Sequence, residues 1–173
     1  MTNGTAWFVL GVVLAVGAVS DWKTGKIPNW LTMPAMAAGL VINSLAGRGF
    51  RTALLGMLAA LGAYLVFFAV GFRGAGDGKL MGAVGAFVGW PQIVTVMLLV
   101  ALLGGAGALL LSWQQGALGM VLRNTLAVML DIICLRWDAV KQHGNFRTPG
   151  RLRMPHGPVI AAGTLAFMLF SLR

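Results

Sequence analysis

Ile93-Val94-Thr95-Val96-Met97-Leu98-Leu99-Val100-Ala101-Leu102-Leu103-Gly104-Gly105-Ala106-Gly107-Ala108-Leu109-Leu110-Leu111 contains no charged residue and a single hydroxyl. A run of this length matches the hydrocarbon thickness of a bilayer when coiled as one α-helix. In that form every backbone polar group away from the ends bonds within the segment. Working outward, further apolar runs fall at about 6–20, 30–46, 52–72, 78–90 and 155–172. Together they predict an all-α, polytopic helix bundle of about six transmembrane helices. Several runs are shorter than the roughly 20 residues of a comfortable crossing, so local thinning or water entry is expected near the fourth, which Pro91 is expected to stop.

Composition agrees. The chain is 58% hydrophobic and 10% charged, with a mean hydropathy of +0.85. A soluble globule carries about 25% charged residues. At 173 residues, one membrane-embedded domain covering 1–173 is expected. The net charge is +9, but the basic residues flank apolar runs and build no separate basic domain. This pattern excludes a nucleic-acid partner and points to lipid. The lone Cys134 excludes an internal disulfide and is expected as a small packed hydrophobe. The start of the chain lacks a basic n-region, so the first segment is expected to be retained.

Between the fifth and sixth runs lies a mixed stretch, 112–153. Leu122, Leu126, Met129, Ile133, Trp137 and Val140 recur at spacings of three or four, while Arg123, Asp131, Asp138 and Lys141 fall mostly off that stripe. This predicts an interfacial amphipathic helix. A turn-rich loop is expected at 144–150.

Orientation follows from the basic residues. With the amino terminus outside, Lys23, Lys26, Arg73, Lys79, Arg123, Arg136, Lys141, Arg147, Arg151 and Arg153 lie on the cytoplasmic side. Only Arg48, Arg51 and Arg173 lie outside. The chain is then a multi-pass protein of the inner (cytoplasmic) membrane with both ends out.

That topology bears on the acids. The chain has four, all aspartates. Asp21 closes the first run and Asp77 opens the fourth, so both reach the cytoplasmic face. Acids near membrane depth are costly and are functional candidates by default. Each also has a plainer reading. Asp77 follows Gly74-Ala75-Gly76 and suits a helix N-cap. Asp21 sits at a helix C-terminus, where the dipole disfavours an anion, and Lys23 is a nearby ion-pair partner. A phosphate loop is excluded, because Arg73 and Leu80 stand where Gly and Ser/Thr are needed. Ile27-Pro28-Asn29 is a turn signal, with Asn29 expected to cap the second helix. Gly82, Gly85 and Gly89 permit close helix contact, expected to draw Asp77 toward the first helix. His156 is a base or ligand in principle. With no Glu, no Cys cluster and no second nearby His, no metal or other cofactor is expected.

Asp21 with Ile27-Pro28-Asn29, then Gly74-Ala75-Gly76-Asp77 with Lys79, then Pro155-x-Gly157-Pro158, resemble the type IV prepilin peptidase family in order and spacing, across most of the chain. That family consists of membrane aspartyl proteases with a Gly-x-Gly-Asp signature. The resemblance implies that Asp21 and Asp77 are catalytic. It also implies that Lys23, Ile27, Pro28, Asn29, Gly74, Gly76, Lys79, Pro155, Gly157 and Pro158 support the site or the substrate. The cysteine-bearing amino-terminal domain of bifunctional members is not seen, so N-methylation is not expected. The short form resembles the tight-adherence (Flp-type) pilus enzymes. His156 stands where the family pattern has an aromatic. The implied substrate is a prepilin with a short basic leader, and pilus assembly machinery is an implied partner.

The two-acid chemistry is independent of the resemblance. Two neighbouring carboxyls cannot both ionise cheaply, so one serves as base toward a water and the other as acid toward the scissile carbonyl. Two other classes are a small proton-coupled transporter and a non-catalytic pilus or secretion assembly protein. The transporter needs acids facing both membrane sides, and the assembly protein tolerates loss of both aspartates.

Overall fold

The computed structural model describes residues 2–47, 49–69, 75–134, 136 and 156–171. Among these residues there are seven helices and no strand: α1 (Thr2–Thr24), α2 (Asn29–Leu45), α3 (Phe50–Ala69), α4 (Ala75–Val88), α5 (Gln92–Gln114), α6 (Leu118–Ile133) and α7 (His156–Ser171).

The short α4 is the axis of the bundle. Gly78 and every residue from Leu80 to Val88 are buried. Only small or apolar side chains tolerate such enclosure, and these positions hold nothing else. One face of α4 meets α2 in parallel: Asn29 lies at Lys79, Met36 at Gly82, and Gly39 and Asn43 at Ala86. A second face meets α3 in antiparallel order, with Tyr64 at Gly78, Leu61 at Gly82 and Gly56 at Gly85. A Cβ on Gly56 or Gly85 would collide with the other's backbone, so this approach needs glycine at both. Gly82, Gly85 and Gly89 therefore serve the contact with α3 rather than the expected contact with α1. A third face reaches α1, where Gly17 leaves room for Leu80.

α7 closes the bundle. It runs antiparallel to α1, with Asp21 at Gly157 and the rings of Trp7 and Phe167 edge to face at 6.4 Å. It also runs antiparallel to α5, with Val159 at Gly104 and Gly163 at Val100. One end of the bundle thus gathers the end of α1, the starts of α2, α4 and α7, and the end of α5.

The apolar surface identifies the solvent. The α5 helix has a mean hydropathy of 2.5 over its most apolar window, yet only 17% of that window is buried. For Gly4–Thr24 in α1 the values are 1.6 and 28%. A core helix of a soluble protein would be mostly covered. These outward-facing leucines and valines require lipid, and the chain is a membrane protein. Phe50–Val66, Leu118–Val128 and His156–Ser171 are shorter apolar helices.

Several boundaries differ from expectation. α4 begins at Ala75, so Asp77 lies inside its first turn and is not its N-cap. It ends at Val88, because Gly89 with a φ of +80° breaks the helix before Pro91 does. Pro91 instead precedes α5 as its N-cap. In α6, Leu122, Leu126 and Leu130 are exposed while Val128 and Asp131 are buried. The aspartate face turns to protein and the leucine face outward, as suits a helix beside lipid. Trp137, Asp138, Val140, Lys141 and the 144–150 loop lie outside the described residues. Cys134 is exposed rather than packed, because it follows the last turn of α6.

Candidate active site

The end of α1 is built locally. Gly25 adopts φ +60°, and its amide donates to the Asp21 carbonyl at 2.8 Å, which stops the helix. The hydroxyl of Ser20 donates to the Lys26 carbonyl at 2.9 Å and ties the turn back onto the helix. Ile27 then buries itself against Gly76, where an added Cβ would lie 3.3 Å from the Ile27 Cβ. Gly76 is thus small because Ile27 occupies its space, and the turn after α1 is seated on the first turn of α4.

Pro28 is the N-cap of α2 in extended conformation, with no side-chain cap bond. Asn29 is not the cap that sequence suggested. Its Oδ1 accepts a hydrogen bond from Lys79 Nζ at 2.8 Å. This bond joins α2 to α4 two residues beyond Asp77. Lys23 lies exposed on the last turn of α1.

Asp21 is held from α7. The Gly157 amide donates to Asp21 Oδ2 at 2.8 Å. An isolated helix leaves its first amides without partners, and here a carboxyl from a distant helix takes one of them. The Asp21 carboxyl therefore sits at the positive end of α7, which favours an acidic group there. The ring of Pro158 falls in the first turn of α7, where its missing N–H loses no intrahelical bond.

Asp77 is partly buried on the first turn of α4, and its carboxyl lies within electrostatic range of His156 and Asp21. Tyr64, the one tyrosine of the chain, packs on Gly78 and also feels the charge of Asp77. The structure therefore brings together Asp21, Asp77, Gly157 and His156, with Ile27, Gly76, Asn29 and Lys79 framing them. Gly74 and Pro155 lie outside the described residues. Tyr64 was not singled out from sequence. A lone phenol in the apolar stretch after Thr52 was the available signal.

The fold and site together define a class: a membrane helix bundle with two aspartates within electrostatic range of each other at one end. Comparison narrows it. Residues 8–109 match the type IV leader peptidase family. The chain belongs to that family.

Among curated relatives, it is 33% identical over 124 residues to a prepilin leader peptidase/N-methyltransferase of Burkholderia pseudomallei, covering 65% of this chain and 40% of the relative. It is 36% identical over 120 residues to an Escherichia coli protein so named, covering 65% and 52%. An Aeromonas hydrophila protein of that name is 35% identical over 129 residues, covering 64% and 44%. The chain thus spans about two fifths to one half of these relatives. No solved structure matches it. Asp21 and Asp77 fall inside the family match, and the α7 residues that hold Asp21 fall beyond it.

Proposed function

We propose that the chain is an intramembrane aspartyl endopeptidase that removes the short basic leader of type IV prepilins. The convergence of Asp21 and Asp77 carries this reading. They lie 56 positions apart in sequence, on different helices, yet come within electrostatic range at one end of the bundle. Membership of a leader peptidase family supports the same reading.

In this mechanism one aspartate takes a proton from a water that attacks the scissile carbonyl. Its partner, protonated, donates to the carbonyl oxygen and later to the leaving amine. The Gly157 amide holds Asp21 in place so that the pair needs little rearrangement. Asn29 fixes Lys79 and, through it, the start of α4. His156 and Tyr64 flank Asp77 and belong to the same polar cluster. No metal takes part in the scheme.

The finer assignment completes the proposal. The substrates are Flp-like prepilins, cut at the cytoplasmic face of the inner membrane. The helices make six crossings with α6 at the interface, both ends outside and the aspartates inside. Lipid surrounds the bundle, and pilus assembly machinery receives the product.

The test is co-expression with a candidate Flp-type prepilin, with leader loss read as a mass shift. Wild type should process it. Asp21→Asn and Asp77→Asn should each lower the rate by about a thousandfold or more while still fractionating with membranes. Processing at near wild-type rate by either variant would remove the two-acid mechanism.

A further inference from the structure

Asn29, Thr32, Met36, Gly39 and Asn43 recur along α2 at spacings of three and four, one stripe of the helix. Contacts fix the register of four of them on α4. Asn29 Oδ1 bonds to Lys79 Nζ, Met36 Cε approaches Gly82, Gly39 abuts Ala86, and Asn43 Nδ2 donates to the Ala86 and Phe87 carbonyls. Thr32 lies between Asn29 and Met36. It therefore faces α4 between Lys79 and Gly82, about one turn deeper than the Asn29–Lys79 bond.

Three polar side chains thus line this seam, and the outer two are bonded. The middle one is not: Thr32 is 0% exposed, and its Oγ1 has no hydrogen-bond partner. A threonine in a helix ordinarily bonds to the carbonyl four residues back. Here that carbonyl, Pro28 O, already accepts from the Leu31 and Thr32 amides at 3.2 and 3.4 Å. A buried hydroxyl left unbonded is destabilising, and native interiors satisfy such groups with ordered water. A water in turn needs two to four polar partners. The Lys79 ammonium, about a turn above, has three donors and gives one to Asn29.

We propose that Thr32 Oγ1, beneath Asn29 and Lys79, holds one buried water, and that this polar column positions Lys79 and the first turn of α4 under Asp77. Lys79 Nζ donates to the water oxygen, and the water donates to Thr32 Oγ1. Thr32 touches no substrate in this arrangement. It is a positioning residue that acts through Lys79. The catalytic consequence rests on the peptidase reading, whereas the water site does not.

The test uses the full chain in lipid nanodiscs with a synthetic Flp-type prepilin. Thr32→Val keeps the shape and removes the hydroxyl. It should lower kcat about tenfold with KM unchanged, while Thr32→Ser retains the rate. In a Lys79→Met background, Thr32→Val should have no further effect. Wild-type kcat together with a raised melting temperature in Thr32→Val would mean a merely unpaired hydroxyl, and would overturn the proposal. An experimental structure that resolves neighbouring waters decides the site itself, even if Thr32→Val does not insert. Water density at about 2.5–3.0 Å from Thr32 Oγ1 supports the site, and its absence at that resolution overturns it. If wild type cleaves no prepilin, the peptidase reading fails, and this density still decides the water site.

Discussion

The backbone amide of Gly157 donates to Asp21 Oδ2 at 2.8 Å, across 136 positions of sequence. The same glycine has no room for a side chain: a Cβ there would lie 2.8 Å from Asp21 Cβ and 3.1 Å from Oδ2. Both facts bind the start of α7 to the end of α1. Gly157→Ala should therefore push the Asp21 carboxyl aside while leaving most of the bundle assembled. The expected loss in cleavage rate is about ten- to hundredfold, as for misplacement of a reacting group by a fraction of an ångström to 1 Å. Steady-state kinetics beside a melting curve would check it. An active Gly157→Ala enzyme would show that the contact does not set the position of Asp21.

Reagent sensitivity follows from the chemistry and from Cys134. A two-carboxyl mechanism uses neither metal nor thiol. Chelators should leave the cleavage rate unchanged. Maleimide should label the exposed Cys134 without loss of activity. Mass spectrometry gives the labelling, and a parallel assay gives the rate. Inactivation by EDTA with recovery on zinc would point to a metalloprotease.

Topology is open to reporter fusions. The charge distribution predicts a cytoplasmic face for both Asp21 and Asp77, and in the bundle the end of α1 and the starts of α4 and α7 lie together. Fusions at Lys26 and Gly78 should report cytoplasm, and those at Gly49 and Arg173 the outside. A cytoplasmic signal from Arg173 would contradict six crossings.

Stability should depend on a polar residue far from the site. Asn43 is buried and its Nδ2 donates to the carbonyls of Ala86 and Phe87 at 2.6 and 2.8 Å. These carbonyls end α4 and lack helical partners of their own. Asn43→Leu should cost about 1–3 kcal/mol, because it leaves them buried and unbonded. Denaturant or thermal unfolding in detergent would measure it. The KM for prepilin should stay unchanged, since Asn43 is at the opposite end from Asp21.

Much of the helical pattern was legible because it depends on local chemistry. Apolar runs without charge, such as that around Val100, have few alternatives in a membrane. The boundaries of α4 were less legible. Gly74, Gly76 and Gly78 surround Asp77 and look like a turn, yet Ala75–Val88 coils as a helix whose first turn is braced by Ile27 and Tyr64. Propensity disfavours glycine in helices by only about 1 kcal/mol each, and packing overrides it. The amphipathic stripe of α6 was visible, but not which face meets protein. Asp131 is buried and Leu126 is not, a choice made by neighbours in space.

The sequence by itself determined the membrane character and marked out the two aspartates, because charge and hydropathy act residue by residue. Only the tertiary structure decided what each site residue touches. It turned Asn29 from an expected cap into the acceptor for Lys79, gave Asp21 the Gly157 amide, and sent Gly82, Gly85 and Gly89 to α3. The physical reason is that hydrogen bonds and close backbone approaches between distant helices depend on register and rotation. Those are set by packing of the whole bundle, and no local stretch of chain encodes them.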